Sequence, residues 1–165
     1  MALVTPNAAQ ASARWYHEHL FWNTTVIDQS VVLPLGNGLV AFSVPADYLG
    51  RVHRHLQRSG LRMPQTVIDE CEAPAVILAE SDGAVIGQCQ MPDGVRYLMV
   101  PAVIELPLLP FSAERKKRWL SAPDPHRRWL LSATCVLAAL TTATHSYQGT
   151  PGHRTETAQP RTLVG

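Results

Sequence analysis

The sequence predicts a single α/β domain of the α+β kind, with a mixed sheet of about five or six strands flanked by helices near residues 8–22, 45–59 and 126–142. Three observations carry that expectation. The stretch from Val31 to Leu56, VVLPLGNGLVAFSVPADYLGRVHRHL, reads as strand, tight turn, strand and helix. Further short β-branched runs follow it, each bounded by Gly, Pro, Asn or Asp. The length of 165 residues suits one domain able to bury its own core.

Val31 to Leu35 is a β-branched run, and Gly36-Asn37-Gly38 is dense in residues that tolerate positive φ, so the chain is expected to turn back into the apolar run Leu39 to Val44. Pro45 fixes a φ suited to a first helical turn. Asp47 follows where a negative charge meets the positive end of the helix dipole. Leu49, Val52 and Leu56 then form an inward stripe at helical spacing. Upstream, residues 8–22 place Trp15, His19 and Trp22 along one helical face, predicting that this face packs on the sheet.

Downstream, Thr66 to Ile68 is a short strand, and Ala75 to Ala79 with Ala84 to Gln88 form a hairpin around Ser81-Asp82-Gly83. Val95 to Val100 follows a Pro92-Asp93-Gly94 turn. Pro101, Pro107 and Pro110 exclude a long helix between them and point to an edge strand or crossing loop. Trp119 to Ala122 is a late strand. Asp124 and Pro125 read as N-cap and first residue of a helix from His126 to about Thr142. The domain is expected to span residues 1–143, with 144–165 a disordered tail of low apolar content.

The apolar content of 46% is ordinary, and a formal charge of +1 gives no global field to draw in nucleic acid, so any anion-binding surface must be local. Cys71, Cys89 and Cys135 are odd in number and widely spaced, which fits neither a disulfide framework nor a CxxC metal site and agrees with a reducing cytoplasm. The N-terminus lacks the pattern of a secretory signal. The most apolar helix falls short of the ~20 residues that cross a bilayer, so no membrane role is expected.

The strand Leu39-Val40-Ala41-Phe42-Ser43-Val44-Pro45, its preceding Gly-containing turn and its following helix resemble the opening of the bifunctional DNA primase/polymerase domain of the archaeo-eukaryotic primase superfamily. The resemblance runs from about Val31 to Ala143. It is nearest to the short, stand-alone members that diverge at the catalytic motifs, and RWLSAP (Arg118 to Pro123) is similar to the family's late strand. In the family, two aspartates end the first strand and hold divalent metal. Here Ser43 and Pro45 stand at those positions. The family's Ser-Gly-Gly turn and phosphate-binding His have as their counterpart Ser81-Asp82-Gly83-Ala84-Val85, with no His between His55 and His126. For the third acidic residue only Glu105 is available. The resemblance therefore implies the fold without the catalytic set.

Two basic clusters remain as candidate binding residues for nucleic acid or another anion. Arg51, Arg54, Arg58 and Arg62 recur with His55 on one face of the second helix, where like charges repel unless something negative approaches. Lys116, Lys117 and Arg118 precede Trp119, a pattern that grips phosphates and stacks a base, although Trp119 is expected in the core. Asp69, Glu70 and Glu72 form the one acidic cluster. Paired histidines, His17 with His19 and His53 with His55, lie two apart on helices and diverge by about 200°, so neither pair can share an ion. The leading reading is a catalytically inactive primase-like protein that binds nucleic acid or a protein partner, with no cofactor. The alternatives are a nucleotidyltransferase using Asp69, Glu70 and Glu72 with Mg²⁺ or Mn²⁺, and a protein-interaction regulator without affinity for nucleotides.

Overall fold

The computed structural model describes residues 7–70, 74–83, 89–110 and 117–145. Three helices form, α1 (Ala8–Leu20), α2 (Ala46–Arg58) and α3 (Ala133–His145). The strands are β1 (Thr25–Ile27), β2 (Ser30–Pro34), β3 (Leu39–Val44), β4 (Thr66–Asp69), β5 (Ala75–Glu80), β6 (Arg96–Leu98), β7 (Val103–Leu106) and β8 (Lys117–Ser121). The α+β class is as expected. In place of one mixed sheet, the strands divide into a three-stranded sheet, β1-β2-β7, and a five-stranded sheet, β6-β3-β5-β4-β8, and every pairing between named strands is antiparallel.

Burial on both faces explains why the large sheet sits centrally. Along β3, Val40, Phe42 and Val44 pack with Leu49, Val52 and Leu56 of α2 and with Val136 and Leu140 of α3. Ala41, between them, belongs to a second core with Val31 and Leu33 of β2, Ile104 and Leu106 of β7, and Tyr16 and Leu20 of α1. Alternation along a strand thus serves two cores at once. The molecule is a stack: α2 and α3, the large sheet, then the small sheet with α1.

The turn at Asn37-Gly38 forms as expected, with φ of 51° and 87° at its two central residues and reciprocal hydrogen bonds between Gly36 and Leu39, both 2.9 Å. The two runs that it joins do not pair beyond that bridge. β2 pairs with β7, and β3 lies between β5 and β6, so the turn hands the chain from one sheet to the other. A second tight turn, Asp28-Gln29 with φ of 47° and 67°, closes β1 on β2 without the glycine that such turns favour.

Helix α2 matches its expected bounds and inward stripe. Two other expectations change. The fully buried face of α1 carries Ala9, Ser12, Tyr16 and Leu20; Trp15 and Trp22 pack against the same core partly buried, Trp22 from beyond the helix end at Leu20 where Phe21 turns left-handed at φ 57°, and His19 is exposed. The last helix begins at Ala133, seven residues later than expected. Asp124 Oδ1 accepts from His126 N (2.9 Å) and Arg127 N donates to Asp124 O (2.9 Å), so these residues close a local turn that competes with helix. Ser132 caps the helix instead, its Oγ accepting from Cys135 N at 3.2 Å. The second strand of the expected 75–88 hairpin and residues 146–165 of the expected tail lie outside the described residues, while Thr144 and His145, expected in the tail, continue α3. Among the described residues no helix is long and apolar enough to cross a membrane.

Candidate nucleic-acid interface

Ser43 and Pro45, which stand at the carboxylate positions implied by the primase resemblance, are structural. Ser43 is 8% exposed in the middle of the large sheet, opposite Val76 on one side and Arg96 on the other. Pro45 caps the start of α2. Neither supplies a metal ligand with charge.

The acidic cluster and the second basic cluster meet each other. Lys117 Nζ bridges Asp69 Oδ2 (3.3 Å) and Glu105 Oε2, and Ser30 Oγ donates to Glu105 Oε1 at 2.7 Å. Arg118 Nη2 pairs with Glu70 Oε1 at 3.2 Å. The first set links β4 and β8 of the large sheet to β2 and β7 of the small one. Burial alone would lower the Lys117 pKa, but the hydrogen bonds and charges of Glu105 and Asp69 outweigh it and raise the value. Burial would likewise raise Glu105, and the hydrogen bonds from Lys117 and Ser30 with the Lys117 charge hold it below its usual range. These cations are partnered, which leaves them less available to phosphate than the sequence pattern implies. Lys116 and Glu72 lie outside the described residues.

Asp69 and Glu70 border a cleft of about 660 Å³ between α2 and the β4–β8 edge, lined mainly by apolar groups such as Leu49, Met63, Ile68 and Leu120. Among the described residues no group of three His, Cys, Asp or Glu side chains is placed to hold a metal ion.

The helix row has a different surround. Arg54, Arg58 and Arg62 are exposed, and Arg51 lies partly buried with its guanidinium 5.9 Å from the Tyr48 ring centroid. The row does not end with the helix. Arg62 lines a cleft of about 380 Å³ together with Asp124, Arg127 and Trp129. Trp129 also lines a neighbouring cleft of about 370 Å³, together with Phe21, Arg128 and Glu80. Its side chain is 85% exposed, Phe21 is 68% exposed, and the Arg128 guanidinium lies 4.6 Å from the Phe21 ring centroid. Among the described residues no carboxylate forms an ion pair with Arg54, Arg58, Arg62, Arg127 or Arg128.

Sequence reasoning places Arg54, Arg58 and Arg62 on the surface, where the structure has them, and does not single out Trp129. Residues 126–131 read as the opening of a helix, which would turn Trp129 towards the core. The signal that marks the true start is Ser132 before the uninterrupted run Ala133 to Ala143, a second N-cap competing with Asp124. Trp119 is buried, as expected, and its Nε1 donates to Tyr16 Oη at 2.9 Å.

No family model, curated protein or solved structure matches the chain.

Proposed function

We propose that this protein is a binding module for single-stranded nucleic acid and does not transfer nucleotides. The observation that carries the reading is Trp129, a large aromatic ring held in solvent between two clefts with arginines on both sides. Proteins that hold single strands combine a cationic track for phosphates with aromatic faces on which bases stack. The row Arg54, Arg58, Arg62 and Arg127 supplies the track, and Trp129 with Phe21 supplies the faces. Apart from the Arg128 guanidinium over Phe21, these rings are largely uncovered, and both line the same cleft, which suits them to a ligand.

The test is fluorescence anisotropy of a labelled mixed-sequence 20-mer between 50 and 200 mM salt, concentrations set by the range over which phosphate contacts are read out. Binding should weaken with salt at a slope of about −0.7 per phosphate contacted. The double variant Arg54→Ala/Arg58→Ala should flatten that slope by about one unit. An affinity and slope unchanged by the double variant would remove α2 from the interface. No binding at low salt would overturn the reading and favour a protein partner, for which exposed Trp, Phe and Arg are also suited.

The absence of nucleotidyl transfer is checked separately. That chemistry aligns two ions about 3.5–4 Å apart on carboxylates projecting from one rigid site. Here Asp69 and Glu70 are engaged by Lys117 and Arg118, and Ser43 and Pro45 have no carboxylate. Labelled-nucleotide incorporation on primed and unprimed templates should give no product with Mg²⁺ or Mn²⁺. Template-dependent product that is lost in Asp69→Ala or Glu72→Ala would establish the enzyme instead.

A further inference from the structure

We propose that the cleft between Phe21 and Trp129 takes a single unstacked base and selects guanine through Glu80. The inference rests on the single-strand reading above and goes further by naming the base. Three independent features of the cleft converge on it.

The first is the backbone of Phe21. It holds a left-handed conformation, φ 57° and ψ 27°, which is unusual for a bulky aromatic residue. Phe21 N donates to His17 O at 3.0 Å and Trp22 N to Tyr16 O at 3.4 Å, closing the end of α1. That strained cap delivers the ring to solvent over the cleft, and the Arg128 guanidinium covers part of it. A ring presented at a conformational cost, without burial, is placed for something outside the fold.

The second is how the cleft is held together. Glu80 sits opposite Leu39 at the end of the β3–β5 ladder, beside the Asn37-Gly38 turn, and its amide donates to Leu131 O at 2.9 Å. Ser81 N also donates to Gly38 O at 2.6 Å. The turn, the end of β5 and Leu131, two residues after Trp129, are therefore joined by backbone hydrogen bonds, which holds the acidic side of the cleft close to the segment that carries Trp129.

The third is the chemistry of Glu80. It is exposed in a cleft whose other charged lining residue is Arg128, and among the described residues its carboxylate makes no hydrogen bond or ion pair. A carboxylate opposes phosphate, so its use in a nucleic-acid cleft is to accept from a base. Guanine presents N1–H and the N2 amino group side by side, two donors matched to two carboxylate oxygens. Adenine and cytosine each place one amino group beside a ring acceptor. Thymine and uracil flank a single N–H with two carbonyl oxygens that repel a carboxylate. Splayed bases are read in this way on their Watson–Crick edges while stacked on aromatic and guanidinium planes.

The experiment compares dT 20-mers that carry dG, dA or dC at every fifth position with dT20 itself, by anisotropy at one salt concentration. The dG strand should bind about tenfold tighter than dT20, the scale of discrimination expected of one bidentate contact. Glu80→Gln should bring the dG-to-dT ratio close to one while dT20 itself binds somewhat tighter, because a negative charge has left the cleft. Damage to the fold would instead weaken every strand. Equal affinities in the wild type, or a guanine preference that survives Glu80→Gln, would overturn the guanine assignment and leave single-strand binding standing. Failure of all four strands to bind would overturn both.

Discussion

In Trp129→Ala, affinity for dT20 should fall by about tenfold while the unfolding transition stays where it is in the wild type. The two halves of that result come from the same number. A side chain 85% exposed contributes little to the core, so its truncation leaves stability nearly unchanged, whereas base stacking on an aromatic ring is worth about 1–3 kcal/mol per base. Adding Phe21→Ala should weaken binding again. It also exchanges a strained aromatic residue at positive φ for a smaller one, without opening a cavity. The measurement is anisotropy titration paired with a urea denaturation curve. If Trp129→Ala bound dT20 as tightly as the wild type, the stacking role would be lost, and the arginines alone would have to account for binding.

The second large effect is on folding. Tyr16 is fully buried, and its hydroxyl donates to Pro107 O at 2.7 Å while accepting from Trp119 Nε1 at 2.9 Å. Its ring is stacked on Trp22 at 5.8 Å between centroids and meets Trp15 edge-on at 5.4 Å. Tyr16→Phe keeps the ring and strands two buried polar groups, each costing about 1–3 kcal/mol, so a total loss of about 2–6 kcal/mol is expected in urea unfolding. The pH dependence gives a second readout. Burial pushes the Tyr16 phenol up, and the Trp119 hydrogen bond opposes this more weakly. The unfolded phenol ionises near pH 10 while the folded one keeps its proton. Its contribution is therefore complete below that pH and is lost as pH rises above it. Wild type should lose stability in alkali more steeply than Tyr16→Phe, by up to about 1.4 kcal/mol per pH unit. Equal alkaline slopes would show that the phenol is not held protonated by the fold.

How much of this was legible in the sequence follows the range of the interactions. Helix α2 was readable because its stripe, its proline start and its cationic face are all local patterns. The Asn37-Gly38 turn was readable for the same reason. The partition into two sheets was not, since β2 and β3 are contiguous in sequence and the choice of β7 for one and of β5 and β6 for the other depends on burial across distant segments. Likewise Lys117 and Arg118 look like free cations in sequence. Their partners Asp69 and Glu70 lie at and just beyond the end of β4, and only the β4–β8 register brings them together. Trp129 was hidden by a rival helix start at Asp124-Pro125, and Tyr16 by its larger neighbours Trp15 and Trp22, which offered a plausible face of their own.

Because the Asn37-Gly38 turn passes the chain between sheets, neither sheet is assembled from one continuous stretch of polypeptide. The β1–β2 hairpin is short and would be marginal alone in water until β7 arrives from about seventy residues downstream. Closing that long loop carries most of the entropic cost of the small sheet, and it brings Glu105 to Ser30 in the same event. The two layers are thus bound to a single folding transition: a fragment ending before β7 holds two strands of one sheet and most of the other, and completes neither.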